Sequence, residues 1–260
     1  TDGQSALGIA LAAGQHDLSA WLEWRSWQPP GRKLMPGDLP AAAMTGDWQA
    51  VSRLLELGLH IDGMDAQACT ALLRAAGGGH ETIVRHLLAQ GADHRIAART
   101  GATALSAAIS MRHASVVDVL LRHGADPEQS LPGGVTPLML ASALGLPDII
   151  SHLLSQGALP NACDAQGFNA LHCAAIHGFS SRDKQRVLAM FDMLLYAETE
   201  FDSATKSGQT PLHFLLGARA EAGASCDEDV LTSALERLLS EGVDLDTQDH
   251  RGMSALHLAA

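Results

Sequence analysis

Thr136-Pro137-Leu138-Met139-Leu140-Ala141 decides how the chain folds, because near copies of it stand on both sides. Thr70-Ala71-Leu72, Thr103-Ala104-Leu105 and Asn169-Ala170-Leu171 align beneath it, and the openings at 70, 103, 136 and 169 are 33 residues apart each time. A fixed period of that length marks a stack of repeated supersecondary units. Such a unit buries its apolar side only against its neighbours, so length here counts repeats rather than separate cores.

Within one period the residues spell a helix, a short turn, a second helix and an outward hairpin. Thr70, Thr103, Thr136 and Thr210, with Ser5, Asn169 and Ser254, are residues whose side-chain oxygen accepts an orphan amide at a helix start. Pro137 and Pro211 follow at the first helical position, where a missing N–H costs nothing. Ala75-Ala76, Ala107-Ala108 and Ala174-Ala175 keep one face of the first helix small, so that repeats approach closely. Ile83, Val84, Leu87 and Leu88 form an apolar stripe of helical period in the second helix. The stripe recurs as Val116, Val117, Leu120, Leu121 and as Ile149, Ile150, Leu153, Leu154. Gly91, Gly124, Gly157 and Gly242 then stop that helix in a left-handed conformation.

These residues resemble the ankyrin repeat, whose pattern runs Asp-x-x-Gly-x-Thr-Pro-Leu-His-x-Ala-Ala, then Gly-His-x-x-Val-Val-x-x-Leu-Leu, then Gly-Ala-Asp. Asp164, Gly167, Leu171, His172, Ala174, Ala175 and Gly178 carry the clearest match; Gly79, His80, Ile83, Val84, Leu87, Leu88, Gly91, Ala92 and Asp93 match in another copy. The resemblance covers almost the whole chain. It implies an all-α fold: an ankyrin-repeat solenoid of stacked helix-turn-helix units with short β-hairpin connections, about six full repeats plus partial terminal repeats, as one domain over 1–260. By the same resemblance, His172, His213 and His257 hydrogen-bond within their own repeat and to the next. Leu73, Ser106 and Met139 hold that place in other copies, where the network is expected to be absent.

The pattern departs from its period at three places. Asp2-Gly3-Gln4-Ser5-Ala6-Leu7 opens in mid-repeat, and an irregular linker near 24–36 follows, with Trp21, Trp24 and Trp27 and then Pro29-Pro30-Gly31. Those tryptophans either seal an irregular interface or form a binding patch. From Leu39 the template resumes. After Asn169 the next openings are Thr210 and Ser254, 41 and 44 residues on, which leaves 8 and 11 extra residues near 179–187 and 219–230. Insertions of about two and three turns lengthen a helix without rotating its buried stripe. Leu188, Phe191, Leu194 and Leu195, and Leu231, Leu235, Leu238 and Leu239, are the expected stripes. Ser181 and Asp227 are the expected caps, with Glu228 and Asp229 well placed in a first turn. Two neighbouring long helices would form a ridge, with a loop over Ala220 to Ser225 as the other reading. The last residues, Ser254 to Ala260, are half a repeat, so the sequence reads as a piece of a longer protein whose open end self-associates or is covered.

Composition narrows the function classes. Seventeen Lys and Arg against 29 Asp and Glu give a net charge of −12. Phosphate backbones are recognised by Lys and Arg, so nucleic acid is not the expected partner, and a basic protein surface is. Acidity also serves plain solubility. No apolar run is long enough for a membrane span and no basic-then-apolar leader opens the sequence, so a cytoplasmic, intracellular protein is expected, with delivery into a host cell as an effector the other route. Cys69, Cys163, Cys173 and Cys226 have neither zinc nor disulfide-framework spacing. His80-Glu81 fails as a zinc-protease helix because Val84 stands where the second histidine belongs. Asp244, Asp246 and Asp249 lack the glycine and glutamate of a calcium loop. No nucleophile elbow, phosphate loop or dinucleotide fingerprint occurs, so no catalytic, cofactor or metal residues are assigned.

Ankyrin repeats, by resemblance, bind other proteins through the hairpin tips and the exposed side of the first helix. The corresponding places here are Met111, Val135, Leu144, Phe168, Ile176 and His177. Five of the six are apolar, which solubility alone does not favour. The expected function is a non-catalytic protein-interaction module gripping a partner on its concave face; the alternative is a targeting or autoinhibitory domain of a larger enzyme or a bacterial-type effector.

Overall fold

An extended residue whose side-chain oxygen takes an orphan amide starts one helix after another. Leu73, Ser106 and Met139 each donate their backbone N–H to Oγ1 of Thr70, Thr103 and Thr136 at 3.2 Å, and His172 donates to Oδ1 of Asn169 at 3.0 Å. The computed structural model of the chain describes residues 34–218 and 226–259. Ser5, the three tryptophans Trp21, Trp24 and Trp27, the Pro29-Pro30-Gly31 stretch and the loop over Ala220 to Ser225 lie outside the described residues.

The chain divides between Asp126 and Pro127 into two compact units. The first contains α1 (Asp38–Met44), α2 (Trp48–Glu56), α3 (Ala71–Gly78), α4 (Glu81–Ala89), α5 (Ala104–Ser110) and α6 (Ala114–Arg122). They form three pairs in which α1, α3 and α5 pack side by side, as do α2, α4 and α6. The second contains α7 (Pro137–Ala143), α8 (Pro147–Ser155), α9 (Ala170–Ser180), α10 (Lys184–Tyr196), α11 (Pro211–Leu215), α12 (Glu228–Leu239) and α13 (Ala255–Ala259). There α7, α9, α11 and α13 make one row, and α8, α10 and α12 the other.

Small residues make the first row possible and branched ones fill the second. Ala71, Ala75 and Ala76 of α3 and Ala170, Ala174 and Ala175 of α9 are buried, as are Ile83, Val84 and Leu87 of α4 and Val116, Val117, Leu120 and Leu121 of α6. Each such aliphatic side chain contributes roughly 1.5–3 kcal/mol relative to exposure. The connections differ from the β-hairpins expected. Among the described residues there is no strand, only isolated bridges at Met64–Thr70 and Gln248–Ser254. Each arm is too short for a ladder: Asp164 N–H donates to the Phe168 carbonyl at 2.9 Å, and the chain then enters α9. Within each unit, backbone bonds link neighbouring tips instead, Arg99 N–H to the Gln67 carbonyl at 3.1 Å in the first and Lys206 N–H to that of Gln166 at 2.9 Å in the second.

The extra residues after Asn169 are shared between two helices. α9 has 11 residues where α3 has 8 and α7 has 7, and α10 has 13 where α8 has 9. Gly178 explains the split. Its counterparts Gly79 and Gly145 end their helices at φ +74° and +69°, but Gly178 stays helical, buried between Val187, Phe191 and Leu215. α10 therefore starts from Asp183, whose Oδ1 accepts the Arg186 N–H at 3.1 Å, and not from Ser181. Its buried stripe is Val187, Met190, Phe191, Leu194 and Leu195, with Leu188 only half-buried. In α12 the buried row is Val230, Ala234 and Leu238, while Leu239 is 38% exposed. A shift of one residue turns a helical face by about 100°, which is why four leucines do not make the stripe here.

Gly79 and Gly91 both take left-handed conformations, at φ +74° and +86°. A Cβ on Gly79 would run into the His113 ring, whereas one on Gly91 would meet nothing within 4 Å. Gly91→Ala is expected to cost about 1 kcal/mol, the left-handed strain alone, and Gly79→Ala about twice that or more. Urea unfolding followed by far-ultraviolet circular dichroism gives the order; equal losses would mean that the ring yields freely.

Candidate functional site

The expected contact residues fall into two registers. Met111, Leu144 and His177 follow one another at 33 residues, the first two capping their helices and His177 lying inside the longer α9, and Val135 and Phe168 hold the place before a helix cap. Met111 belongs to the first unit. It caps α5, donates its N–H to the Ala107 carbonyl at 3.1 Å, and leaves its side chain 59% exposed. The other five belong to the second unit.

There the structure separates open residues from packed ones. Leu144 caps α7, Ile176 lies on α9 and Val135 accepts the Leu131 N–H at 2.9 Å; all three are half-buried. His177 is half-buried too, its ring filling the space that a Cβ on Gly145 would need, so it closes the α7–α8 turn of the preceding repeat. Phe168 is only 7% exposed. Its ring centroid lies 5.1 Å from Phe214 and 5.6 Å from His172, and the latter two are 5.7 Å apart. Asp164 sets this up, because its Oδ1 accepts the Gln166 N–H at 2.8 Å and the Phe168 N–H at 2.9 Å and fixes the turn. Phe168 is thus core between repeats rather than an open contact.

His172, His213 and His257 are bonded as the repeat pattern implies. Thr210 N–H donates to Nδ1 of His213 at 3.2 Å, so the ring hydrogen sits on Nε2 and is donated to the Met253 carbonyl at 3.1 Å. His172 spans the same gap, with Nδ1 3.2 Å from the Asn169 nitrogen and Nε2 3.2 Å from the Gln209 carbonyl. Burial pushes its imidazole from 6.5 down to about 4, against the opposing pull of hydrogen bonds to the Gln209 and Ser203 backbone. Ser254 and His257 repeat the local half, the Ser254 N–H reaching Nδ1 at 3.2 Å. At Ser106 the network is not absent as expected: Oγ accepts the Thr103 N–H at 2.9 Å. A hydroxyl thus makes the bond that a histidine ring nitrogen makes in the other copies.

Among the described residues, no three His, Cys, Asp or Glu gather as a metal ion would need. No helix among them is long and apolar enough to cross a membrane. No disulfide joins any of the four cysteines. One surface residue escaped the sequence reading: Tyr196, 92% exposed at the end of α10. It is the only tyrosine and directly follows the buried pair Leu194-Leu195, a position that helical geometry turns outward.

The ankyrin-repeat family profile in three copies matches residues 39–131, and a single ankyrin-repeat profile matches residues 133–165. No curated protein matches the chain. Among solved structures, the crystal structure of the human ASB11 ankyrin repeat domain superposes with a TM-score of 0.68 at 25% identity, over 85% of this chain and 91% of that one.

Two outcomes follow from the ring cluster. The His172 imidazole is depressed on folding, so as pH falls the unfolded chain takes up the proton first; this stability is complete above 6.5 and declines towards 4. The loss is about 3 kcal/mol over that window, and His172→Asn should remove about that much of the pH dependence of the unfolding free energy. Phe168→Ala should cost about 3–5 kcal/mol in denaturant unfolding, as for a core aromatic, and a loss below about 1 kcal/mol would place the ring on the surface.

Proposed function

Because the chain belongs to the ankyrin-repeat family, we propose that it is a non-catalytic protein-interaction module that captures a partner protein along the concave side lined by its first helices. Ankyrin repeats are generally protein-protein interaction modules, and catalysis is generally not their work. Each unit offers its own contacts, Met111 in the first and Val135, Leu144 and Ile176 in the second.

Met111 carries this reading. A long apolar residue 59% exposed at a helix end leaves most of its surface to water, and a flexible thioether adapts well to a partner's surface. Leu144, at the same place in the next repeat, is half-buried and offers an edge. The chain's net charge of −12 supports a partner with a basic surface over nucleic acid.

The test compares the chain with Met111→Glu and, separately, Ile176→Gln in affinity capture from native lysate read by mass spectrometry. Each variant should reduce recovery of the specific partner about tenfold, as for a binding hot spot, with far-ultraviolet circular dichroism and melting temperature close to the parent's. A partner retained in full by both variants would mean that binding lies elsewhere.

A further inference from the structure

Two ion pairs hold α10 against α12 in one register. Lys184 Nζ lies 3.1 Å from Asp229 Oδ1, and Arg237 Nε lies 2.6 Å from Asp192 Oδ1. Both pairs are 45 residues apart, 229 − 184 and 237 − 192, so the helices run in the same direction. Towards their C-terminal ends lies a cleft of about 500 Å³, lined by Asp192, Met193, Leu195, Tyr196, Arg237 and Glu241.

The floor of this cleft is apolar, and its rim is not neutral. Met193 is half-buried, Leu195 is 9% exposed, and Tyr196 beside them is the most exposed large hydrophobic side chain among the described residues. An aromatic left standing in water beside apolar surface is the kind of group on which binding energy concentrates. Arg237 is held from both sides, by Asp192 and by Glu241 at 2.6 Å each, so its charge is already more than matched. Residues 192–202 add Glu198, Glu200 and Asp202, and residues 236–246 add Glu236, Asp244 and Asp246. These eight carboxylates, all on exposed residues, face a single cation in the two stretches, a net −7 against −12 for the whole chain. The crowding is physical as well as numerical: burial and then the neighbouring Asp244 carboxylate push the Asp202 carboxyl up.

We propose that this cleft is a docking site for a partner segment that carries apolar residues flanked by Arg or Lys. The apolar side chains would cover Met193, Leu195 and the Tyr196 ring, and the cations would lie over the surrounding carboxylates. This surface shares no residue with Met111, Val135, Leu144 or Ile176, so either reading stands if the other fails.

The single tyrosine makes the test specific, because 3-fluorotyrosine incorporation places one fluorine resonance at the cleft. The probe is a synthetic helical peptide with a Leu-Leu pair flanked by arginines. One control replaces the leucines by serine, and another the arginines by glutamate. At about 0.15 M salt, where bare charges are screened beyond about 8 Å, the Arg-Leu peptide should shift the resonance saturably. Each control, and the Glu198→Gln/Glu200→Gln variant, should bind about tenfold more weakly, a difference of about 1.4 kcal/mol. Tyr196→Ala, followed by calorimetry, should lose a similar factor while keeping its melting temperature, since the side chain packs on nothing. No saturable shift, equal binding of the serine control, or full affinity in Tyr196→Ala would each overturn the proposal.

Discussion

No repeat in this chain can bury its own apolar side, and within each unit the structure depends on how one repeat borrows cover from its neighbour. The borrowing is apolar through Ile83, Val84, Leu87 and their counterparts, but its register is polar. His80 reaches the Met44 carbonyl at 3.0 Å, and His113 reaches that of Gly77 at 3.2 Å, both 36 residues back. His172 and His213 reach forward, to carbonyls 37 and 40 residues on. At the hairpin tips, the Asp93 N–H meets Asp62 Oδ1 at 3.0 Å and the Glu200 N–H meets Asn161 Oδ1 at 2.7 Å. Each bond satisfies a backbone group that no helix pairs, so sliding one repeat would break them, at about 1–3 kcal/mol where the bond is buried, as at His172. Apolar contact supplies the attraction, and these bonds select the alignment.

What could be read beforehand follows the same division. Whatever depends on a residue and its near neighbours was legible: Thr70, Thr103 and Thr136 as caps, and the glycines after α4, α6 and α8 as left-handed stops. Whatever depends on the next repeat was legible only where the resemblance supplied it, as for His172 and His213. Phe168 looks like a contact residue until Phe214, 46 positions on, proves to be packed against it. Gly178 looks like Gly79 and Gly145, but Val187, Phe191 and Leu215 enclose it and the helix runs through. Ser106 looks like a lost histidine, yet its hydroxyl makes the bond within its own repeat.

The candidate surface was legible in part for the same reason. Exposure is what remains after neighbours have taken their cover, and a sequence shows the residue without the cover. Met111 stayed open, His177 was taken up by the turn at Gly145, and Tyr196 emerged because Leu194 and Leu195 fix the helix with its outer side turned to water. A glycine in one repeat and a ring in another are a single feature, since the space refused to a Cβ at Gly145 is the space His177 fills.

The acidity of the chain is of two kinds, and only one is structural. Asp65 accepts the Gln67 and Cys69 N–H groups and pairs with Arg74; Asp164 holds the turn before Phe168; Asp249 accepts the Arg251 and Met253 N–H groups. Removing any of these would leave a turn with unpaired amides. Glu198, Glu236 and Asp192 sit instead on exposed residues around the ends of α10 and α12, where no turn geometry calls for a carboxylate. Solubility alone would be served as well by charges spread evenly, and spreading would reduce their mutual repulsion. Concentrating them beside an apolar cleft with an unburied aromatic costs the free chain stability, and an approaching cation is what would relieve that cost.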